Sequence, residues 1–251
     1  MVNIMDKIKT MNIISNIQLT QDIYKMILEV DTSFITNPGQ FINITIDNKY
    51  LKRPISISDY TDNSLTIIYK VVGKGTEILS NKIKGETIEA LVGLGNGFTI
   101  KDNKEVLLVG GGVGIPPLYN LAKQLINNDT KVNVLLGFNT INDIFYDKEF
   151  KELGCTVYIT TNDGSKGIKG HIGNGLQEYN LTNLYYYSCG PKPMLKALTQ
   201  ISNNQGQLSF EARMGCGFGA CMGCSIEVKD GYKRICKEGP IFSSEEILWI
   251  D

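Results

Sequence analysis

Four cysteines carry the most specific chemistry in this chain. Cys216, Cys221, Cys224 and Cys236 follow the spacing C-x4-C-x2-C-x11-C. A C-x4-C-x2-C run with a more distant fourth cysteine is the plant-type [2Fe–2S] arrangement, in which four thiolates complete two tetrahedral irons. Gly215, Gly217, Gly219, Ala220 and Gly223 lie between and beside them. Such small residues let a loop fold tightly and turn its N–H groups toward sulfur, which tunes the site. Zinc is the alternative metal, although zinc ribbons usually pair two C-x2-C knuckles and only Cys221–Cys224 forms one here. Four unliganded buried thiols are a third reading, one that the flanking glycines disfavour. Cys155 precedes an apolar run and reads as a small core residue.

Two further segments could bind anions. Val109-Gly110-Gly111-Gly112-Val113-Gly114-Ile115-Pro116-Pro117 stands between an apolar run and an amphipathic stretch. Glycine allows close approach to a pyrophosphate, and a following helix start offers free N–H groups. The loop does not match G-x-G-x-x-G, so it reads either as a nucleotide loop or as a tight turn. Arg53, in Lys52-Arg53-Pro54-Ile55-Ser56, and Gly73-Lys74-Gly75-Thr76 offer a guanidinium, a hydroxyl and a second helix start. One cofactor pyrophosphate could bridge both, or they could be a surface arginine and an ordinary turn. His171, the single histidine, reads as a loop residue, with a nucleotide contact as the other option.

These residues need a scaffold, and the patterning supplies one. Up to about residue 100 the chain shows short strands. Phe41 to Ile46 alternates as a half-buried strand should, and Leu65 to Val72 is rich in β-branched residues. Asn37-Pro38-Gly39, Asp62-Asn63-Ser64 and residues 93–97 read as turns, so this part suggests a small barrel or sandwich. After Lys101, strands at 106–109, 132–136, 156–160 and 184–187 alternate with helical patterns, which means βαβ units and a parallel sheet. From about Leu208 the chain becomes a Gly/Cys-rich region. The expected division is 1–100 (barrel), 101–207 (α/β nucleotide domain) and 208–251 (cluster domain).

Composition narrows the function. Hydrophobic residues make up 42% and charged residues 20% of the chain, which excludes a wholly disordered chain. The net charge of −1 lacks the basic excess of a nucleic-acid binder. No apolar run of ~18 residues is present to span a membrane. MVNIMDKIKTMNIISN lacks the pattern of a secretory signal, so a cytoplasmic location is expected. There, clustered cysteines point to metal or redox chemistry rather than disulfides. The segment from Gly137 to Lys148 has no arginine and one lysine, which favours NAD over NADP.

The order Arg-Pro-Ile-Ser, Ile-Tyr-Lys, Gly-Lys-Gly-Thr, Gly-Gly-Gly-Val-Gly-Ile-Pro-Pro, Ser-Cys-Gly-Pro and then the cysteine spacing resembles the ferredoxin-reductase-like flavoproteins. It most closely resembles the family of electron-transfer subunits of NAD-dependent dihydroorotate dehydrogenases, over nearly the whole chain. The resemblance implies an antiparallel FAD-binding β-barrel, a parallel-sheet NAD domain and a small C-terminal [2Fe–2S] domain. It implies that Arg53, Pro54, Ile55 and Ser56 bind FAD, that Ile68, Tyr69 and Lys70 line the flavin, and that Gly75 and Thr76 hold phosphate. Gly110, Gly111, Gly112, Val113 and Gly114 would receive NAD, with Cys189 and Gly190 beside the nicotinamide and Cys189 in the catalytic role. Ile55 stands where many relatives have tyrosine, so ring stacking has to come from elsewhere, Tyr69 being the candidate. The metal ligands would be the four cysteines.

Function follows as an expectation. Electrons would pass from the FMN of a separate dihydroorotate dehydrogenase catalytic subunit through the cluster and FAD to NAD, in pyrimidine biosynthesis. The implied assembly is a heterotetramer with two copies of each chain. A catalytic (β/α)8 barrel takes ~250 residues, and none are left over here, so this chain alone should not oxidise dihydroorotate. The competing readings are a reductase subunit of another complex (ferredoxin:NAD(P) oxidoreductase, sulfide dehydrogenase or hydrogenase) and, in another class, a zinc-containing binding module.

Overall fold

Period-two patterning in the first part of the chain closes into a barrel. The structure is a computed structural model and describes residues 4–249. Strands β1 (Ile8–Gln18), β2 (Ile23–Glu29), β3 (Phe41–Ile44), β4 (Arg53–Thr61), β5 (Ser64–Lys70) and β6 (Thr87–Leu94) pair antiparallel in the order β1-β2-β5-β4-β3-β6. Met11, Met26, Leu28, Ile42, Ile44, Leu65 and Ile67 fill the interior. Helix α1 (Lys74–Ser80) crosses from β5 to β6. Of the expected turns, Gly93 and Leu94 instead lie within β6, and the chain leaves the barrel at Gly95.

The second unit is a three-layer α/β fold. Strands β7 (Glu105–Gly111), β8 (Lys131–Phe138), β9 (Thr156–Thr161), β10 (Ile168–Lys169), β11 (Tyr185–Cys189) and β12 (Gly206–Ser209) pair parallel. An antiparallel edge strand, β15 (Ile241–Ser243), completes a seven-stranded sheet in the order β10-β9-β8-β7-β11-β12-β15. Central β7 shows why its apolar run is unbroken. Val106 and Leu108 pack toward α2 (Pro117–Asn127) and α3 (Asp147–Glu152). Leu107 and Val109 pack toward α4 (Ile172–Glu178) and α5 (Lys192–Ile201). A strand covered on both faces loses the alternation of a half-exposed one. Pro117 takes the first position of α2, where no N–H bond is lost.

The Gly/Cys-rich segment runs between β12 and β15 and includes the hairpin β13 (Ser225–Val228) and β14 (Gly231–Arg234). The expected boundary after residue 207 falls inside β12, and β15 belongs to the nucleotide sheet. Pairing of Gln207, Leu208 and Ser209 with Ser243, Phe242 and Ile241 makes the segment a long excursion from that sheet. Composition marked the loop, but strand pairing decides where it is anchored. The barrel is tied to both other parts. Asn96 Nδ2 donates to the carbonyls of Glu238 (2.9 Å) and Ile241 (3.1 Å). Asp59 of β4 accepts from Asn120 (3.0 Å) and Lys123 (2.8 Å) of α2. Among the described residues, no helix is long and apolar enough to cross a membrane.

Candidate functional site

The hairpin explains the x11 spacing. Cys224 immediately precedes β13, and Cys236 follows β14 by two residues. The register Ser225↔Arg234 therefore folds the two cysteines together. The Ile235 N–H donates to the Cys224 carbonyl (3.1 Å), and the Cys236 N–H points at the Cys224 Sγ (3.4 Å). Both cysteines are buried, and burial first, then the neighbouring Cys224, pushes the Cys236 thiol up to about 12. The C-x4-C loop is built differently. Cys216 Sγ accepts from the backbone N–H of Ala220 (3.2 Å) and Cys221 (3.4 Å). Burial opposes ionisation of this thiol, but backbone N–H donation from Cys221, Phe218 and Ala220 outweighs it. The Cys216 thiol falls to about 6.

The positive φ of Gly217 and Gly219 lets the loop reverse over so short a span. Arg234 clamps it, donating to the Gly219 carbonyl while Nε reaches Glu238 (2.9 Å). That guanidinium holds the Glu238 carboxyl down at about 2.

The loop turns the Cys221 N–H onto the Cys216 sulfur, and the hairpin turns the Cys236 N–H onto the Cys224 sulfur. A binuclear cluster takes two thiolates per iron, and N–H groups aimed at a ligand sulfur are the usual surroundings of such a cluster. The donor set fits [2Fe–2S] better than zinc.

The carboxyl edge of the parallel sheet gathers the predicted nucleotide residues. Gly110 and Gly111 end β7, opposite Cys189 on one side and Leu136 and Gly137 on the other. Gly112, Val113 and Gly114 form a 3-10 turn leading to α2. Gly112 has φ +52 with open space around it, so it is required for its backbone angle. Gly114 is required for a different reason: a Cβ there would stand 2.2 Å from the Cys189 carbonyl oxygen. The glycine loop and the Cys189–Gly190 turn are packed backbone to backbone. Replacing Gly114 by alanine is expected to destabilise the fold by about 1–3 kcal/mol, the usual cost of overpacking. It should also weaken nucleotide binding; denaturant unfolding and NADH titration check both. Burial pushes the Cys189 thiol well above its ordinary range, so this group is a neutral thiol. His171 is exposed, just before α4.

The predicted flavin residues lie on β4, β5 and α1. Arg53, Pro54, Ile55 and Ser56 are half-buried along β4. The Arg53 guanidinium lies directly over Gly75: a Cβ on that glycine would meet Nη2 at 2.4 Å. Two segments twenty residues apart therefore converge on one cationic corner at the start of α1. The Thr76 hydroxyl is engaged within the turn, accepting from Val72 N–H (2.9 Å) and donating to the Gly73 carbonyl (3.0 Å). It shapes the corner beneath the Arg53 guanidinium.

Ile68 packs in the layer shared with α2, and Lys70 reaches Asp22 (3.0 Å) at the surface. Tyr69 departs from expectation. Its ring is 1% exposed, stacked on Tyr24 at 5.9 Å, and its hydroxyl donates to Asn16 (2.9 Å). Strand alternation turns residue 69 into the barrel, so its ring is not available for stacking on a cofactor.

Sequence reasoning missed three residues. Arg234 was anonymous among the basic residues, although it stands two places before Cys236. Glu211 follows β12, lines a cleft of about 490 Å³ with Gly190, Phe210 and Ile235, and is among the charges acting on Cys189. Asn43 looked like the polar face of a half-exposed strand, yet all four residues of β3 are buried.

A barrel and a parallel sheet joined in this way make the architecture of the flavin-dependent nicotinamide reductases, here with an iron–sulfur segment looped out of the sheet edge. Comparisons with known proteins bear this out. Residues 108–200 match the oxidoreductase NAD-binding domain, and residues 211–248 match the iron-sulfur cluster binding domain of dihydroorotate dehydrogenase B. The electron transfer subunit of dihydroorotate dehydrogenase B (NAD(+)) from Fusobacterium nucleatum is 42% identical, covering 96% of this chain and 98% of that one. Its counterpart from Geobacillus sp. is 41% identical over 97% and 100%. A chain of the NADH-dependent reduced ferredoxin-NADP oxidoreductase superposes with a TM-score of 0.88 at 31% identity, covering 95% of this chain and 90% of that one. A ferredoxin NADP+ reductase from Neisseria gonorrhoeae, solved with FAD and NADP, shares the fold with a TM-score of 0.67 at 19% identity, over 78% and 90%. The chain belongs to the family of dihydroorotate dehydrogenase B electron transfer subunits.

Proposed function

We propose that this chain carries electrons from the FMN of a dihydroorotate dehydrogenase catalytic subunit, by way of a [2Fe–2S] cluster and FAD, to NAD+ in pyrimidine biosynthesis. The observation that supports this most is the seating of the cysteine loop on the barrel. Asn43 of β3 donates to the Cys216 carbonyl (3.4 Å), and β3 is hydrogen-bonded to the Arg53–Ser56 stretch of β4. The one-electron and two-electron sites are thus attached to adjacent strands. When bound, the cluster supplies one-electron exchange and the flavin converts between single electrons and the hydride pair of NAD.

The chain's own residues hold and tune these groups. Cys216, Cys221, Cys224 and Cys236 would supply the four thiolates that hold the cluster. Arg53 neutralises the FAD pyrophosphate at the corner it forms with Gly75 and Thr76. Pro54, Ile55 and Ser56 present the β4 face to the ring, while Ile68, Tyr69 and Lys70 contribute backbone from β5. Gly110 to Gly114 and Gly190 let NAD lie close to the sheet edge. Cys189 is 1% exposed, so its thiol is covered. It would serve the nicotinamide side through its backbone, whose carbonyl packs against Gly114, and the buried neutral thiol does not act as a nucleophile.

The catalytic subunit docks over Cys221. That cysteine is exposed, and Phe218 and Met222 beside it leave 39% and 53% of their surface open. The assembly holds two copies of each chain in the cytoplasm, with the β1–β6 barrel as the FAD part, the parallel sheet including β12 and β15 as the NAD part, and the excursion between β12 and β15 as the cluster part.

Anaerobic capture of tagged protein from its host tests the reading. The expected eluate contains an FMN protein and reduces NAD+ only when dihydroorotate is added. An eluate that oxidises NADH yet ignores dihydroorotate would move the chain to another reductase complex, in line with its likeness to the ferredoxin-NADP oxidoreductase chain.

A further inference from the structure

Asn43 has no evident reason to be an asparagine. Its neighbours Ile42 and Ile44 point into the barrel. Phe41, on the same face as Asn43, packs in the cluster that contains Cys224, Ile235 and Cys236. Asn43 shares that covered face and is 0% exposed. An apolar side chain would suit such a position, because a buried amide needs partners for both of its ends. Only one end is used: Nδ2 donates to the Cys216 carbonyl (3.4 Å), while Oδ1 is buried with no partner among the described residues. The fit around the donor is close. A Cβ on Gly217 would lie 2.3 Å from that Nδ2, so the loop backbone rests directly on the amide. The register then carries the contact onward, since Asn43 pairs with Pro54 of β4 and with Leu91 of β6.

We propose that Asn43 is a positioning residue for the iron–sulfur site. Its amide fixes the Cys216–Gly217 peptide against the barrel and thereby sets the N–H donation that the Cys216 sulfur receives. This inference rests on the reading of Cys216 as a cluster ligand. Hydrogen bonds to ligand sulfurs stabilise the reduced, more negative cluster. With the peptide released, the N–H groups of Ala220 and Cys221 lose their alignment on Cys216, and the potential falls.

The test uses the complex with its catalytic subunit, carrying Asn43→Ala or the volume-filling Asn43→Leu. Iron and flavin per chain, the electron paramagnetic resonance spectrum of the reduced protein and the cluster midpoint are measured. The expected result is full flavin with an altered spectrum. At fixed poise the reduced fraction should fall about tenfold relative to the oxidised one, a shift of about 59 mV for one electron. Loss of iron with flavin retained also supports the proposal, because the loop has then come off its seat. Unchanged iron, spectrum and midpoint in both variants overturn it. Joint loss of flavin and iron also overturns it, since Asn43 would then serve the barrel alone. Cys216→Ser separates the two ideas. If that variant keeps the native iron content and spectrum, the ligand reading fails.

Discussion

Replacing Cys224 or Cys236 by serine is expected to strip the iron–sulfur absorbance from the protein while leaving bound flavin in place. The two thiols are buried and face each other across the base of the β13–β14 hairpin, with the Cys236 N–H on the Cys224 sulfur. No other cysteine can substitute for them. Cys155 is buried in the layer of α2 and α3, and Cys189 ends β11. Altering partners of metal ligands costs about 10–100-fold in affinity, and losing a ligand should exceed that. Dihydroorotate-dependent NAD+ reduction should fall by on the order of 100-fold or more. NADH oxidation by an artificial acceptor, which draws on the flavin alone, should persist. Iron content, the visible spectrum and the two assays check this. A variant that keeps its iron and its coupled activity would remove Cys224 and Cys236 from the ligand set.

Arg53→Ala is expected to release FAD. The guanidinium lies over Gly75 at the start of α1, held by the carbonyl of Leu51. A charge-assisted contact of this kind contributes about 1.5–3 kcal/mol, which corresponds to roughly 10–150-fold in flavin affinity. The barrel should stay folded, because the side chain lies outside the interior formed by Met26, Leu28, Leu65 and Ile67. Flavin fluorescence after gel filtration, with thermal unfolding as a control, measures the effect. Arg53→Lys should recover only part of it, since an ammonium lacks the planar bidentate fork. Full FAD retention in Arg53→Ala would move the pyrophosphate elsewhere.

Much of the nucleotide-binding sheet was legible because its signals are local. A continuous apolar run, a glycine loop and an amphipathic helix occur in sequence order, and β7, β8, β9 and β11 fall where those runs are. Tyr69 was offered as the stacking ring because Ile55 stands where many relatives have tyrosine, whereas alternation along β5 turns its side chain inward beside Ile67 and Leu65. Asn43 was misread for the converse reason. A polar residue in an alternating strand looks solvated unless one knows that a segment more than 170 residues later covers it.

The sequence by itself determined the kinds of chemistry available. Thiol spacing sets how many ligands there are, and glycines set where backbone can bend or come close to a neighbour. Apolar periodicity separates barrel from parallel sheet. These properties depend on residue type and short-range separation, so they can be read along the chain. Tertiary structure alone decided which of these pieces meet. The Arg53 guanidinium over Gly75, Gly114 against the Cys189 carbonyl, the Arg234 clamp on Gly219 and the Asn43 seat under Cys216 all arise from strand order and register. Those are set by burial of the whole set of apolar faces at once, a global condition that no local window of residues contains.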